Sequence, residues 1–201
     1  MRIDPDSRAL NGFSTFLTFV ALNLLYIVLC LPVVTIGAAT SALFEVTIRY
    51  SDDESGRPLK DYLPAFRANF GRSSLLMLCL LAPAALLGFS SVFWFAHPAL
   101  FAGVAGVLAI IGAVYLFAAF LYAMAQVAYF RNTVRQTLRN ALLLPAAEPV
   151  RTLGLLLIPV TAVALTILFP PVGFLVLTIG FSVGAYATAF LFRSVFARHE
   201  A

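Results

Sequence analysis

Long apolar runs broken by short polar or proline-bearing stretches set the pattern of this chain. Phe13–Leu31 is the first run, 19 residues ended by Pro32. At about 1.5 Å per residue it extends roughly 28 Å, enough to cross a bilayer. Val33–Tyr50 follows, shorter and richer in hydroxyls, with Thr35, Thr40, Ser41, Glu45 and Thr47. Ser74–Ala96 is a second strong run closed by His97-Pro98, and Ala99–Tyr129 a third, long enough to tilt in the membrane or protrude from it. Thr152–Phe169 is the fourth, and after the Pro170-Pro171 turn Val172–Phe192 is the last. The six apolar segments, about 13–31, 33–50, 74–96, 99–129, 152–169 and 172–192, predict an all-α polytopic membrane helix bundle. It is one integral membrane domain over 1–201, with five or six membrane segments arranged as three hairpins.

Charge placement orients these runs. All thirteen Lys and Arg fall outside the strong apolar runs. Two lie in the N-terminal tail (Arg2, Arg8), five from Arg49 to Arg72, four from Arg131 to Arg151 and two at the end (Arg193, Arg198). The turns at His97-Pro98 and Pro170-Pro171 have none. The positive-inside rule makes the basic side cytoplasmic. If Val33–Tyr50 stays outside the membrane, the N-terminal tail lies opposite the five-charge stretch. If it returns through the bilayer, all thirteen cations share one face and each hairpin turns at a proline: Pro32, Pro98 or Pro170. The second arrangement is the one expected, with both termini cytoplasmic and the short segment packed within the bundle or entering only partway.

Composition agrees. Of 201 residues, 62% are hydrophobic and 11% charged, against about 25% charged in a soluble domain, and the mean hydropathy is +0.97. The net charge of +4 points to anionic headgroups of the bacterial cytoplasmic membrane as the partner, with no nucleic acid. Cys30 and Cys79 lie within apolar runs and read as small hydrophobes. The n-region carries Asp4 and Asp6, and the first apolar run is longer than a signal-peptide core, so an uncleaved first span is expected.

Within the spans, polar residues are few. Glu45 is the sole acid, a candidate to bind a proton or cation; Arg49, four residues on, makes an interfacial ion pair the plainer role. Asn23 and Gln126 are the other strongly polar candidates, suited to interhelical hydrogen bonds. Tyr115, Tyr122 and Tyr129 recur every seven residues and could line a sugar path by stacking, or simply pack. Gly180, Gly184 and Thr188 form small-xxx-small spacing for a close helix contact, within the chain or in a homo-oligomer. Pro83 and Pro159 should kink their helices. Ile-Gly pairs recur in the three returning segments (Ile36-Gly37, Ile111-Gly112, Ile179-Gly180), by chance or as a faint hairpin repeat.

Two connecting stretches have the spacing of amphipathic cytoplasmic helices on the headgroups. Leu59, Tyr62, Leu63, Phe66 and Phe70 interleave with Arg57, Lys60 and Arg67, with Pro64 splitting or starting that helix. Arg131, Arg135 and Arg139 step by four opposite Val134, Leu138 and Leu142. The cationic residues Lys60, Arg67, Arg131, Arg135 and Arg139 could also dock a partner. The Asp52-Asp53-Glu54 cluster reads as a solvated loop. Walker and H-E-x-x-H motifs are absent from the sequence, and neither His97 nor His199 has companions for a metal. An enzyme is not expected, and no cofactor.

The block Leu31-Pro32-Val33-Val34-Thr35-Ile36-Gly37-Ala38-Ala39-Thr40-Ser41-Ala42-Leu43 resembles the early signature of the YesL family, small bacterial membrane proteins of unknown molecular function. Lys60-Asp61-Tyr62-Leu63-Pro64-Ala65-Phe66-Arg67-Ala68-Asn69-Phe70 is similar to that family's cytoplasmic segment, and Gly180-Phe181-Ser182 through Phe196 to its closing span. The resemblance implies an accessory role in carbohydrate or oligosaccharide uptake, with an ABC sugar permease as partner. The alternative is a sugar or small-solute permease or channel in its own right. The resemblance supplies no catalytic or binding residues.

Overall fold

The computed structural model describes residues 5–53 and 57–199; Arg2, Asp4 and Glu54 lie outside them, as do the side chains of Asp6 and Arg8. Among the described residues the chain is helical apart from short links, without strands. The helices are α1 (Pro5–Cys30), α2 (Ile36–Asp53), α3 (Pro58–Phe95), α4 (Leu100–Tyr129), α5 (Val134–Ala147) and α6 (Pro149–Leu168), then α7 (Pro171–Leu175) and α8 (Phe181–His199). A short 3₁₀ turn, Val33–Thr35, leads into α2, and a π turn, Val176–Gly180, joins α7 to α8. Proline punctuates as expected. It stands at the first position of α3, α6 and α7, where its missing N–H leaves no helical bond unmade.

Five helical stretches are long and apolar enough to cross a membrane: Gly12–Cys30, Pro58–Phe95, Phe101–Tyr129, Pro149–Leu168 and the α7–α8 unit Pro171–Arg198. The protein is a multi-pass bundle. Large side chains such as Leu86, Phe89, Phe101 and Phe174 are more than two-thirds exposed, an outer face suited to lipid tails.

α2 is not among those five. It carries Glu45, Arg49, Asp52 and Asp53 and occupies the interior. It runs back beside α1, since Tyr26 and Thr40 share a hydrogen bond near the turn and Phe19 meets Tyr50 at the other end. α3, α4 and α8 cover it, and Ala38, Ala39, Ser41, Ala42 and Leu43 are buried. Without a hydrophobic drive between helices in lipid, close approach at small residues holds them together. Gly37 is the tightest point, where an added Cβ would stand 2.5 Å from the Ser73 carbonyl oxygen and 2.8 Å from Met77 Cβ. Next to it the buried hydroxyls of Ser41 and Ser73 bond at 2.8 Å.

The amphipathic stretch around Leu59–Phe70 is not a separate helix. α3 is continuous for 38 residues and passes through both Pro64 and Pro83. Its first part packs against α2: Asp61 reaches Arg49 at 3.7 Å, Tyr62 donates to the Ala39 carbonyl at 3.1 Å, and Asn69 donates to Glu45 at 2.8 Å. Tyr62 is wholly buried and pins this segment to the bundle. Arg131 also departs from the expected helix. It lies in the extended link before α5, whose N-cap is Thr133, the side chain accepting from the Gln136 amide. On α5 the stripe of Val134, Leu138 and Leu142 packs against the core cluster, with Thr137, Ala141 and Leu144 buried beside it, so much of the face expected on headgroups is taken by protein.

Gly37→Ala should lower stability by about 1–3 kcal/mol through overpacking, read as a lower thermal unfolding midpoint in detergent. Gly88→Ala, with nothing within 4 Å of its added Cβ, should leave the midpoint unchanged or slightly raised.

Candidate functional site

Asn23, fully buried on α1, reaches the last span. Its Nδ2 donates to the Leu177 carbonyl at 2.7 Å, and its Oδ1 accepts from the Ser182 amide at 3.1 Å. Leu177 and Ser182 are five residues apart, the spacing of a π-type backbone pair. The carboxamide, itself a peptide-like donor and acceptor, bridges the two backbone groups at the π turn. Ser182 Oγ then donates back to the Phe19 carbonyl at 2.9 Å. The single run Val172–Phe192 read from the sequence is thus divided at Val176–Gly180, where a side chain from another helix engages the backbone ladder.

The charged groups gather at one end. Glu45 pairs with Arg49 at 2.8 Å and accepts from Asn69. Arg193 of α8 donates to the Ser51 carbonyl at 2.8 Å and pairs with Asp52, and Arg151 pairs with Glu148. Glu45, Arg49 and Asp52 of α2 and Arg193 of α8, with Tyr129, line a pocket of about 400 Å³. Arg72, counted from the sequence as one more loop cation, closes the end of α4 by donating to the carbonyls of Val127, Phe130 and Asn132 at 3.0–3.1 Å. A cation at a helix C-terminus meets both its free carbonyls and the negative end of its dipole.

The three tyrosines do not form one path. Tyr115 donates to the Leu142 carbonyl of α5 at 2.5 Å. Tyr122 is fully buried, bonded to Thr152 at 3.1 Å and set edge-on to Phe192. Tyr129, partly exposed, packs against Phe130 and Phe196. Gln126 is buried, and its Nε2 has no hydrogen-bond partner, as is also true of Arg72 Nε and Ser74 Oγ.

Gly184 faces α6 within the chain, where an added Cβ would sit 3.6 Å from Ile158. Gly180, the last residue of the π turn, and Thr188 of α8 line the same cavity as Gly184. Arg135 and Arg139 are exposed on the outer side of α5, as are Arg131 before it and Lys60 and Arg67 on α3. The residues the sequence did not single out are the partners: Ser182 and Leu177 for Asn23, Asn69 for Glu45, Ser73 for Ser41. The one local hint was an Asn in an otherwise apolar span, which requires a partner somewhere.

Asn23→Leu, close in size but unable to bond, should destabilise by about 1 kcal/mol, the scale of an interhelical hydrogen bond in a membrane. Hydrogen exchange should also rise selectively at Ser182, which thermal unfolding alone would not reveal.

No curated protein and no solved structure matches the chain. Residues 19–91, from the middle of α1 into the second half of α3, match the family model described as "Protein of unknown function, DUF624". This is the YesL-like family of small membrane proteins, the one that the Leu31–Leu43 and Lys60–Phe70 blocks resemble.

Proposed function

We propose that this protein is a non-enzymatic component of the bacterial cytoplasmic membrane, with both termini in the cytoplasm, that assists carbohydrate or oligosaccharide uptake by docking onto an ABC sugar permease. The observation that carries the reading is how the intramembrane polar side chains are used. Asn23 holds the π turn, Tyr122 holds Thr152, and Ser41 holds Ser73. A sugar crossing the bundle would need a run of free donors and acceptors, and these three groups are committed elsewhere, with Gln126 Nε2 and Ser74 Oγ left unpartnered. The carboxylates of Glu45, Asp52 and Glu148 are each ion-paired with an arginine, which suits a structural role better than proton transfer. Lys60, Arg67, Arg131, Arg135 and Arg139, all exposed, offer a cationic face for headgroups or a permease. The link to carbohydrate rests on the family resemblance.

Native membranes from sugar-induced cells should yield permease subunits with this chain. Reversing charge at Lys60, Arg67 and Arg135 together should reduce that recovery several-fold without loss of the folded protein. Recovery of no transport subunit, with uptake of labelled oligosaccharide into proteoliposomes holding this chain alone, would replace the accessory reading by a permease. For sidedness, Ser7→Cys and His199→Cys, in a chain lacking Cys30 and Cys79, should react with impermeant thiol reagents only from the cytoplasm. Labelling of position 7 from outside would put the first helix the other way round.

A further inference from the structure

α5 stands alongside α4. Arg72 takes the carbonyls of both Phe130 and Asn132, which fixes the start of α5 beside the end of α4. Further along, the Leu142 carbonyl accepts from Tyr115, a position roughly 21 Å along α4 from Tyr129 at 1.5 Å per residue. α5 therefore doubles back along its neighbour and leads through Glu148 into the membrane-length helix α6. One side of it, with Thr137, Ala141 and Leu144, is buried in the bundle.

The other side faces outward and changes character along the axis. Arg135, Arg139, Leu143 and Ala147 are all exposed. They recur at four-residue steps, about 6 Å apart and close to one line on the helix. Val150 and Leu153, on the first turns of α6, are exposed as well. α5 contains no acid. Among the described residues, neither Arg135 nor Arg139 has an ion-pair or hydrogen-bond partner for its guanidinium. Two cations without a counter-charge are thus followed, within about 12 Å of Arg135, by a bare leucine.

That profile selects the occupant. The headgroup zone of a bilayer is roughly 5–7 Å deep on each side, so Arg135 and Leu143 match headgroup and hydrocarbon, and Arg139 between them can extend its guanidinium back to the phosphates. A water-borne acidic partner would answer the arginines and leave Leu143, Val150 and Leu153 uncovered. An anionic amphiphile covers both parts, and basic residues at a membrane surface favour anionic lipid.

We infer that the outward face of α5 is a binding site for an anionic phospholipid, its phosphate held by Arg135 and Arg139 and an acyl chain laid over Leu143. The site needs no permease. In the test, photoreactive benzoylphenylalanine replaces Leu143 in the full chain. The protein is placed in nanodiscs of phosphatidylcholine with a minority of phosphatidylglycerol, and crosslinked lipids are identified by mass spectrometry. Adducts should be enriched in phosphatidylglycerol several-fold over the bulk ratio, whereas the same probe at Leu86, exposed on α3, should return the bulk ratio. Arg135→Gln with Arg139→Gln should bring position 143 to the bulk ratio while the thermal unfolding midpoint stays unchanged. Bulk-ratio adducts at position 143 with both arginines intact would overturn the anionic preference, without recourse to any variant of them. A crosslink from position 143 to a protein in native membranes, in place of lipid, would give the face to a protein partner instead.

Discussion

A polar group inside a bilayer has no water to accept its hydrogen bonds, so each must be answered by another part of the chain. This requirement organises the bundle more than any apolar contact does, because lipid tails are as hydrophobic as the leucines they touch. Asn23 answers the Leu177 carbonyl and the Ser182 amide; Ser182 answers the Phe19 carbonyl; Ser41 and Ser73 answer each other. At the basic end Arg72 does the same for the free carbonyls of α4. Each bond joins two different elements of the bundle, and together they fix which helix faces which.

Two kinds of surface follow. Interior faces are built from Ala, Gly, Ser and Thr, as on α2, where the side chains are short enough for backbones to meet. Exterior faces carry Leu, Val and Phe into the lipid. α6 belongs mostly to the second kind: Thr152 and Leu155 are its buried residues, and the rest of the helix stands partly away from its neighbours. The cavity beside it, lined by Gly184 and Thr188, is the geometric result of that loose seating against small residues on α8.

The hydrophobic runs made the helices legible because bilayer thickness and run length are tied by helical rise. Prolines at residues 32, 98 and 170 marked the turns for the same reason they start helices elsewhere, namely a fixed φ and a missing donor. What the sequence could not convey was pairing. Nothing near Asn23 names Ser182, and the periodicity of Tyr115, Tyr122 and Tyr129 describes a stripe without saying that three different neighbours take one tyrosine each. The π turn was hidden likewise, since Val176–Gly180 is ordinary span composition. The amphipathic stretches were visible as patterns, but periodicity cannot tell a lipid face from a protein face. Hence Tyr62 proved to be a buried anchor and the α5 stripe a packing surface.

The bridge at Asn23 has a bearing on biogenesis. Its partners come 154 and 159 residues later in the chain, so when the first span leaves the ribosome its carboxamide meets only hydrocarbon or a stand-in. The contact can form only after residues 177–182 have been synthesised and the α7–α8 unit has been inserted. An intermediate that stalls before that moment carries an unanswered amide in its leading helix, a recognisable mark of incompleteness for membrane quality control.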